Sequence, residues 1–114
     1  MSQKEAILCV DDEAIILLSL KQELKNYFGG RFSYETAMNA EEAWEIVLDL
    51  EKEQVSLILV ISDWLMPGMK GDEFLVKIHE SYPKIKTVLI TGQADYEAIE
   101  RARHAAGLQA CLMK

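Results

Sequence analysis

The residues of this chain best suited to chemistry are polar groups that close apolar runs. Asp11-Asp12 follow Ala6–Val10, and Ser62-Asp63 follow Leu57–Ile61. Thr91-Gly92 follow Thr87–Ile90, and Lys114 follows Ala110–Met113. If the fold gathers these ends, it gathers three carboxylates, a hydroxyl and an ammonium. Carboxylates held together repel, and one is driven toward its protonated form unless a cation compensates. Mg²⁺ suits that task, because it prefers hard oxygen ligands and commonly bridges carboxylates to phosphate. An acidic cluster with a bound cation and one lysine can hold a phosphoryl group, whose charge in transfer spreads over its equatorial oxygens. A carboxylate can also be the nucleophile, giving an aspartyl phosphate.

Whether they are gathered depends on the elements that carry them. The runs Ala6–Val10, Leu57–Ile61 and Thr87–Ile90 are continuously apolar. That is the pattern of strands covered on both faces, as in a parallel sheet. Phe32–Ala37 and Ala110–Met113 are weaker runs and read as edge strands. Helical spacing fills the intervals. Leu17, Leu20, Leu24 and Phe28 form one stripe, closed by Gly29-Gly30. Ala43, Val47 and Leu50 form a second, with Asn39 as N-cap and Glu42 completing a capping box. Phe74, Leu75 and Ile78 form a third, ended by Tyr82-Pro83. Ile99, Ala102 and Ala106 form a fourth, between Asp95 and Gly107. The order is β-α-β-α-β-α-β-α-β. It predicts an α/β domain over 1–114 with a doubly wound, five-stranded parallel sheet. In such sheets ligands bind beyond the carboxyl ends of the strands, where all the polar groups above fall.

Taken singly, most of these residues have plainer roles. Asp11 or Asp12 can cap the first helix, Thr91 can bond local backbone, and Lys114 can be a solvated lysine. Asp63 resists such a reading, since Trp64-Leu65-Met66-Pro67-Gly68 follows it and no helix begins there. The joint occurrence at four strand ends favours the functional reading. His79 and His104 read as surface residues, and Met66, Met69 and Met113 as gap-fillers. There is no GxxxxGK[ST] or GxGxxG loop and no paired CxxC.

Composition narrows the partners. The 114 residues include 19 acidic and 12 basic ones, for a net charge of -7. No Lys/Arg cluster offers a footprint for nucleic acid, so neither direct nucleic-acid binding nor membrane-surface binding is expected. No apolar run is long enough for a signal peptide or a membrane span. Cys9 and Cys111 make no disulfide framework, and a cytoplasmic address is the expectation.

Val10-Asp11-Asp12, Asp63-Trp64-Leu65-Met66-Pro67-Gly68-Met69-Lys70-Gly71, Thr91-Gly92 and Leu112-Met113-Lys114 together resemble the receiver domain of CheY-like response regulators in two-component signalling. The match runs along nearly the whole chain, and the segment from Asp63 to Gly71 is its most specific part. The resemblance implies a flavodoxin-like strand order 2-1-3-4-5. It implies that Asp63 is the phosphoacceptor. It also implies that Asp12, Asp63 and the backbone carbonyl of Leu65 bind Mg²⁺ directly, with Asp11 acting through water. Lys114 would pair with the phosphoryl group and Thr91 would bond it and shift on activation, with Trp64 and Gly92 beside them. The donor would be a phosphohistidine on a sensor histidine kinase or phosphotransfer domain.

Two departures stand out. Where the family usually places Tyr or Phe, three residues before the lysine, this chain has Cys111. The sequence also stops at Lys114, where the family continues into a fifth helix. Without that helix one face of strands three to five would be open. The expectation is a longer protein with an effector domain after residue 114, or a homodimer covering that face.

The function implied is a phosphorylation-driven switch for a partner or attached effector. It is no enzyme in the ordinary sense, but a phosphoacceptor with self-catalysed transfer and slow autodephosphorylation. Leu65 offers no group to orient a water for hydrolysis, although Gln93 could. An alternative is a receiver-like interaction module that does not cycle phosphate; the intact acidic set argues against it. A hydrolase of the haloacid dehalogenase type is a more distant alternative, because Asp11-Asp12-Glu13 lacks that family's DxD spacing.

Overall fold

The computed structural model describes residues 4–66 and 68–91, together with the backbone of 108–113. The elements are β1 (Glu5–Val10), α1 (Ala14–Phe28), a 3₁₀ turn (Gly29–Arg31), β2 (Ser33–Ala37), α2 (Ala40–Lys52), β3 (Ser56–Asp63), α3 (Gly71–Ser81), β4 (Lys86–Thr91) and β5 (Leu108–Met113). All strand pairs are parallel, and the sheet order is β2-β1-β3-β4-β5. The weak runs are the edge strands, as their patterning predicts. The fourth helical stripe, Ile99 to Ala106, lies outside the described residues.

The continuous apolar runs fill two cores. In β1, Ile7 and Cys9 face one side of the sheet, while Leu8 and Val10 face the other. Neighbouring residues of β3 divide likewise, Ile61 to one side and Val60 to the other, as do Ile90 and Leu89 of β4. The first side is covered by α1 through Leu17, Leu20, Leu24 and Phe28. The second is covered by α2 and α3 through Ala43, Val47, Phe74, Leu75 and Ile78. A strand buried on both faces has no reason to alternate polar and apolar residues, which is why these strands are marked by continuous apolar runs. On the α1 side, Ile58, Leu59 and Val88 are only partly buried. Met66 is buried within the α2–α3 core, as a gap-filler should be, and His79 is half-buried on α3.

The helix ends follow local chemistry. Asn39 caps α2 by accepting the Glu42 N–H at 2.8 Å, and Glu41 and Glu42 lie in its first turn, where the helix dipole favours negative charge. Gly29 closes α1 at φ 66°, a conformation that glycine adopts without steric cost. Tyr82 ends α3 ahead of Pro83. Its hydroxyl donates to the Glu51 carboxylate of α2, tying the two C-terminal ends together. That bond pushes the Tyr82 hydroxyl above its ordinary pKa.

Candidate functional site

β1, β3 and β4 end side by side. Val10 pairs with Ser62, and Asp63 pairs with Ile90. The next residues are Asp11 on one strand and Thr91 on the other, so Asp11, Asp63 and Thr91 lie along one edge. All three are buried: Asp11 and Thr91 are 1% exposed and Asp63 is 5% exposed. Asp12, by contrast, is exposed.

The acids do meet. One carboxylate oxygen from each of Asp11, Asp12 and Asp63 can be chosen so that all lie within 4.8 Å of one another. The sequence separates Asp12 from Asp63 by two strands and a helix pair; the parallel crossover closes that gap. Two buried carboxylates and an exposed one at this separation make a hard-oxygen cluster open on one side, and the donor set fits a divalent cation that keeps some of its waters.

Local structure fixes each acid differently. Asp11 donates its backbone N–H to Ala37 O at 3.1 Å, continuing the β1–β2 ladder by one bond. Its Oδ1 accepts the Glu13 N–H at 2.9 Å, at the entrance to α1. The N-cap of α1 is Glu13, without a side-chain cap bond, so neither Asp11 nor Asp12 caps the helix; Asp11 instead braces the turn that leads into it. Asp63 is held through its backbone. The Ser62 hydroxyl donates to the Asp63 carbonyl at 3.0 Å. Immediately after it, the Trp64 N–H donates to Ile90 O at 2.9 Å, which anchors the chain to β4 as it leaves the sheet.

The segment after Asp63 is pinned at its far end too. Gly71 N–H donates to Trp64 O at 2.8 Å. A β-carbon at Gly71 would overlap the Asp63 carbonyl, so α3 starts hard against the backbone of the buried acid. Between these pins, Leu65 is 53% exposed, Gly68 adopts φ 81°, and Lys70 places its Nζ 5.4 Å from the Trp64 ring centre.

Gly71 belonged to the motif by its spacing, but nothing in the sequence showed what it touches. The ammonium over Trp64 was equally hidden. So was Asp72, which is 7% exposed with an Oδ1 that has no hydrogen-bond partner among the described residues. Gly92 and Lys114 lie outside the described residues. Cys111 is placed by its backbone in β5, opposite Leu89.

The chain is similar in sequence and in fold to known proteins. Residues 7–114 match the family described as the response regulator receiver domain, and the chain belongs to that family. It is 35% identical over 115 residues to the hydrogenase transcriptional regulatory protein HoxA of Cupriavidus necator, covering 100% of this chain and 22% of that protein. It is 32% identical over 95 residues to the response regulator Rre1 of Synechocystis, covering 82% of this chain and 38% of that one. The chain therefore spans well under half the length of these relatives. Among solved structures, it resembles the response regulator protein TrrA of Thermotoga maritima in complex with Mg²⁺ and BeF, with 31% identity and a TM-score of 0.78. That match covers 98% of this chain and 87% of TrrA. The signal receiver domain of an HD domain-containing protein from Pseudomonas fluorescens matches at TM-score 0.84 and 27% identity, covering 99% of this chain and 77% of that one. No described helix is long and apolar enough to cross a membrane.

Proposed function

We propose that the chain is a phosphorylation switch whose acceptor is Asp63. The observation that carries this reading is the meeting of Asp11, Asp12 and Asp63 at the carboxyl edge of the sheet. An Asp63 oxygen attacks the phosphorus of a phosphohistidine on a sensor kinase or phosphotransfer domain. The O–P bond forms, the N–P bond breaks, and the imidazole leaves with the electron pair. Asp12, Asp63 and the Leu65 carbonyl would hold Mg²⁺, with Asp11 acting through water; the ion offsets the crowded negative charge of acids and phosphoryl group. Asp63 is buried and anchored at both sides, so its carboxylate is presented in a fixed place. Thr91 is buried one residue beyond the Asp63–Ile90 rung, and its hydroxyl would donate to an oxygen of the new phosphoryl group. Lys114 and Gly92 complete the set by the family pattern.

The acidic cluster supports Mg²⁺ as the ion, and the Mg²⁺-BeF complex of TrrA supports the same reading by likeness. Relatives that are longer regulators support control of an effector domain beyond residue 114. A second copy is the other partner proposed for the sheet, and a cytoplasmic address goes with this role. The test is acetyl phosphate with Mg²⁺, read by intact mass. One phosphate should be added to the wild type and none to Asp63→Asn. Undiminished labelling of that variant would overturn the assignment.

A further inference from the structure

On the side of the sheet away from α1, a groove of about 820 Å³ runs between α2, α3 and the segment that leaves Asp63. Its apolar wall comes from Met38, Trp44, Met69 and Phe74. Trp44 is held edge-on against Phe74 with ring centres 6.4 Å apart, and it also packs on Tyr82. Met38 is 41% exposed at the mouth. A rigid indole flanked by two methionines is a surface that adapts to an inserted apolar side chain, because thioethers repack at low cost.

The rim is charged in a definite sense. Glu41 and Glu45 stand one turn apart on α2, both exposed, and Lys77 of α3 lines the same groove. The acidic wall extends beyond the groove: α2 carries Glu41, Glu42, Glu45, Asp49 and Glu51 against a single Lys52. A small apolar ligand would leave those carboxylates unused. A second copy of this acidic chain would bring its own like charges to them unless a basic segment were turned inward. A partner segment that is apolar on one side and basic along its edge satisfies both wall and rim.

We propose that this groove docks a basic amphipathic helix of a partner protein. An apolar residue sits between Met38, Trp44 and Met69, and lysine or arginine lies against Glu41 and Glu45. Gly68 and Met69 of the groove belong to the segment that leaves Asp63, one member of the acidic cluster. Docking itself does not require phosphorylation, so it stands or falls apart from the role proposed for Asp63.

The experiment titrates the isotope-labelled, unphosphorylated chain with a Lys/Leu amphipathic helical peptide, followed by amide and indole NMR. The expected result is saturable shifts at Met38, Trp44 and Met69. The double variant Glu41→Lys/Glu45→Lys should weaken binding by about tenfold or more. The control Asp49→Lys/Glu53→Lys makes the same charge change away from the groove and should stay within about twofold of wild type. Absence of binding, shifts centred elsewhere, or equal binding of a Glu/Leu peptide would overturn the proposal. So would equal losses in the two double variants, which would mark diffuse attraction alone. Shifts at the groove on concentrating the chain by itself would assign the face to a second copy instead.

Discussion

Gly71 sits against the carbonyl of Asp63 so closely that no side chain of any kind fits between them. The first residue of α3 and the last residue of β3 therefore form one rigid joint, closed by the bond from Gly71 N–H to Trp64 O. Gly71→Ala must push α3 away from the sheet or distort Asp63. The expected outcome is a loss of about 1–3 kcal/mol of stability, as for an overpacked core, with slower labelling of Asp63 by acetyl phosphate. Gly30→Ala is the control, because a β-carbon there meets nothing within 4 Å. Chemical denaturation and intact mass read the two effects. Equal stability of the two variants would contradict the joint.

The two adjacent aspartates should separate on metal titration. Asp12 is the exposed member of the cluster, whereas Asp11 is buried and accepts the Glu13 N–H at the entrance of α1. Asp12→Ala should weaken Mg²⁺ binding far more than Asp11→Ala, read by Trp64 fluorescence. Asp11→Ala should instead lower stability without metal by about 1 kcal/mol, the scale of a lost side-chain to backbone hydrogen bond. Equal Mg²⁺ affinities in the two variants would remove the distinction between direct and water-mediated roles.

Leu65 should set the lifetime of the phosphorylated state. It is 53% exposed beside the acceptor, yet its side chain has no group to orient a water. Leu65→Asn supplies an amide there, and the phosphate should be lost faster, on the order of the tenfold or more that a positioned water-orienting group contributes. The decay of radiolabel from purified protein measures it. An unchanged rate would take this role from Leu65.

The thiol of Cys9 makes stability depend on alkaline pH. Burial pushes it up from 9.0 to about 11 in the folded chain, with Lys21 acting weakly the other way. The folded state therefore holds its proton more tightly than the unfolded one. The resulting stabilisation is complete below about pH 9 and fades as pH rises toward 11, by on the order of 2–3 kcal/mol. The raised Tyr82 hydroxyl acts in the same direction, so the comparison must isolate Cys9. In a Cys111→Ser background, melting temperature should fall more steeply between pH 9 and 11 than in the same background with Cys9→Ala. Parallel curves would show that Cys9 does not carry the effect.

Cys9 and Cys111 should never bridge within one molecule. β1 and β5 are separated by β3 and β4, three inter-strand spacings or roughly 14 Å, and a disulfide needs Cα atoms within about 7 Å. Oxidation followed by peptide mapping tests this. An intramolecular bridge would overturn the sheet order.

Much of the molecule was legible in one dimension. Apolar runs such as Ala6–Val10 and Leu57–Ile61 marked buried strands because a strand covered on both faces has no solvent side to write into its pattern. Asn39 announced the start of α2 and Tyr82-Pro83 the end of α3, since capping and proline geometry act within a few residues. The acids at the strand ends were visible for the same reason: a parallel sheet puts all its carboxyl ends on one edge. The contacts across the sheet were not. That Gly71 must lack a side chain depends on the approach of α3 to Asp63, and that Lys70 covers Trp64 depends on the turn between them. The groove lined by Glu41, Glu45 and Lys77 depends on how α2 and α3 lie beside each other. Burial of Asp72 with an oxygen that has no partner among the described residues could not be read from an acidic first turn, where exposure is the ordinary outcome. Local propensity and strand order are written along the chain, whereas the space left between packed elements exists only once they have packed.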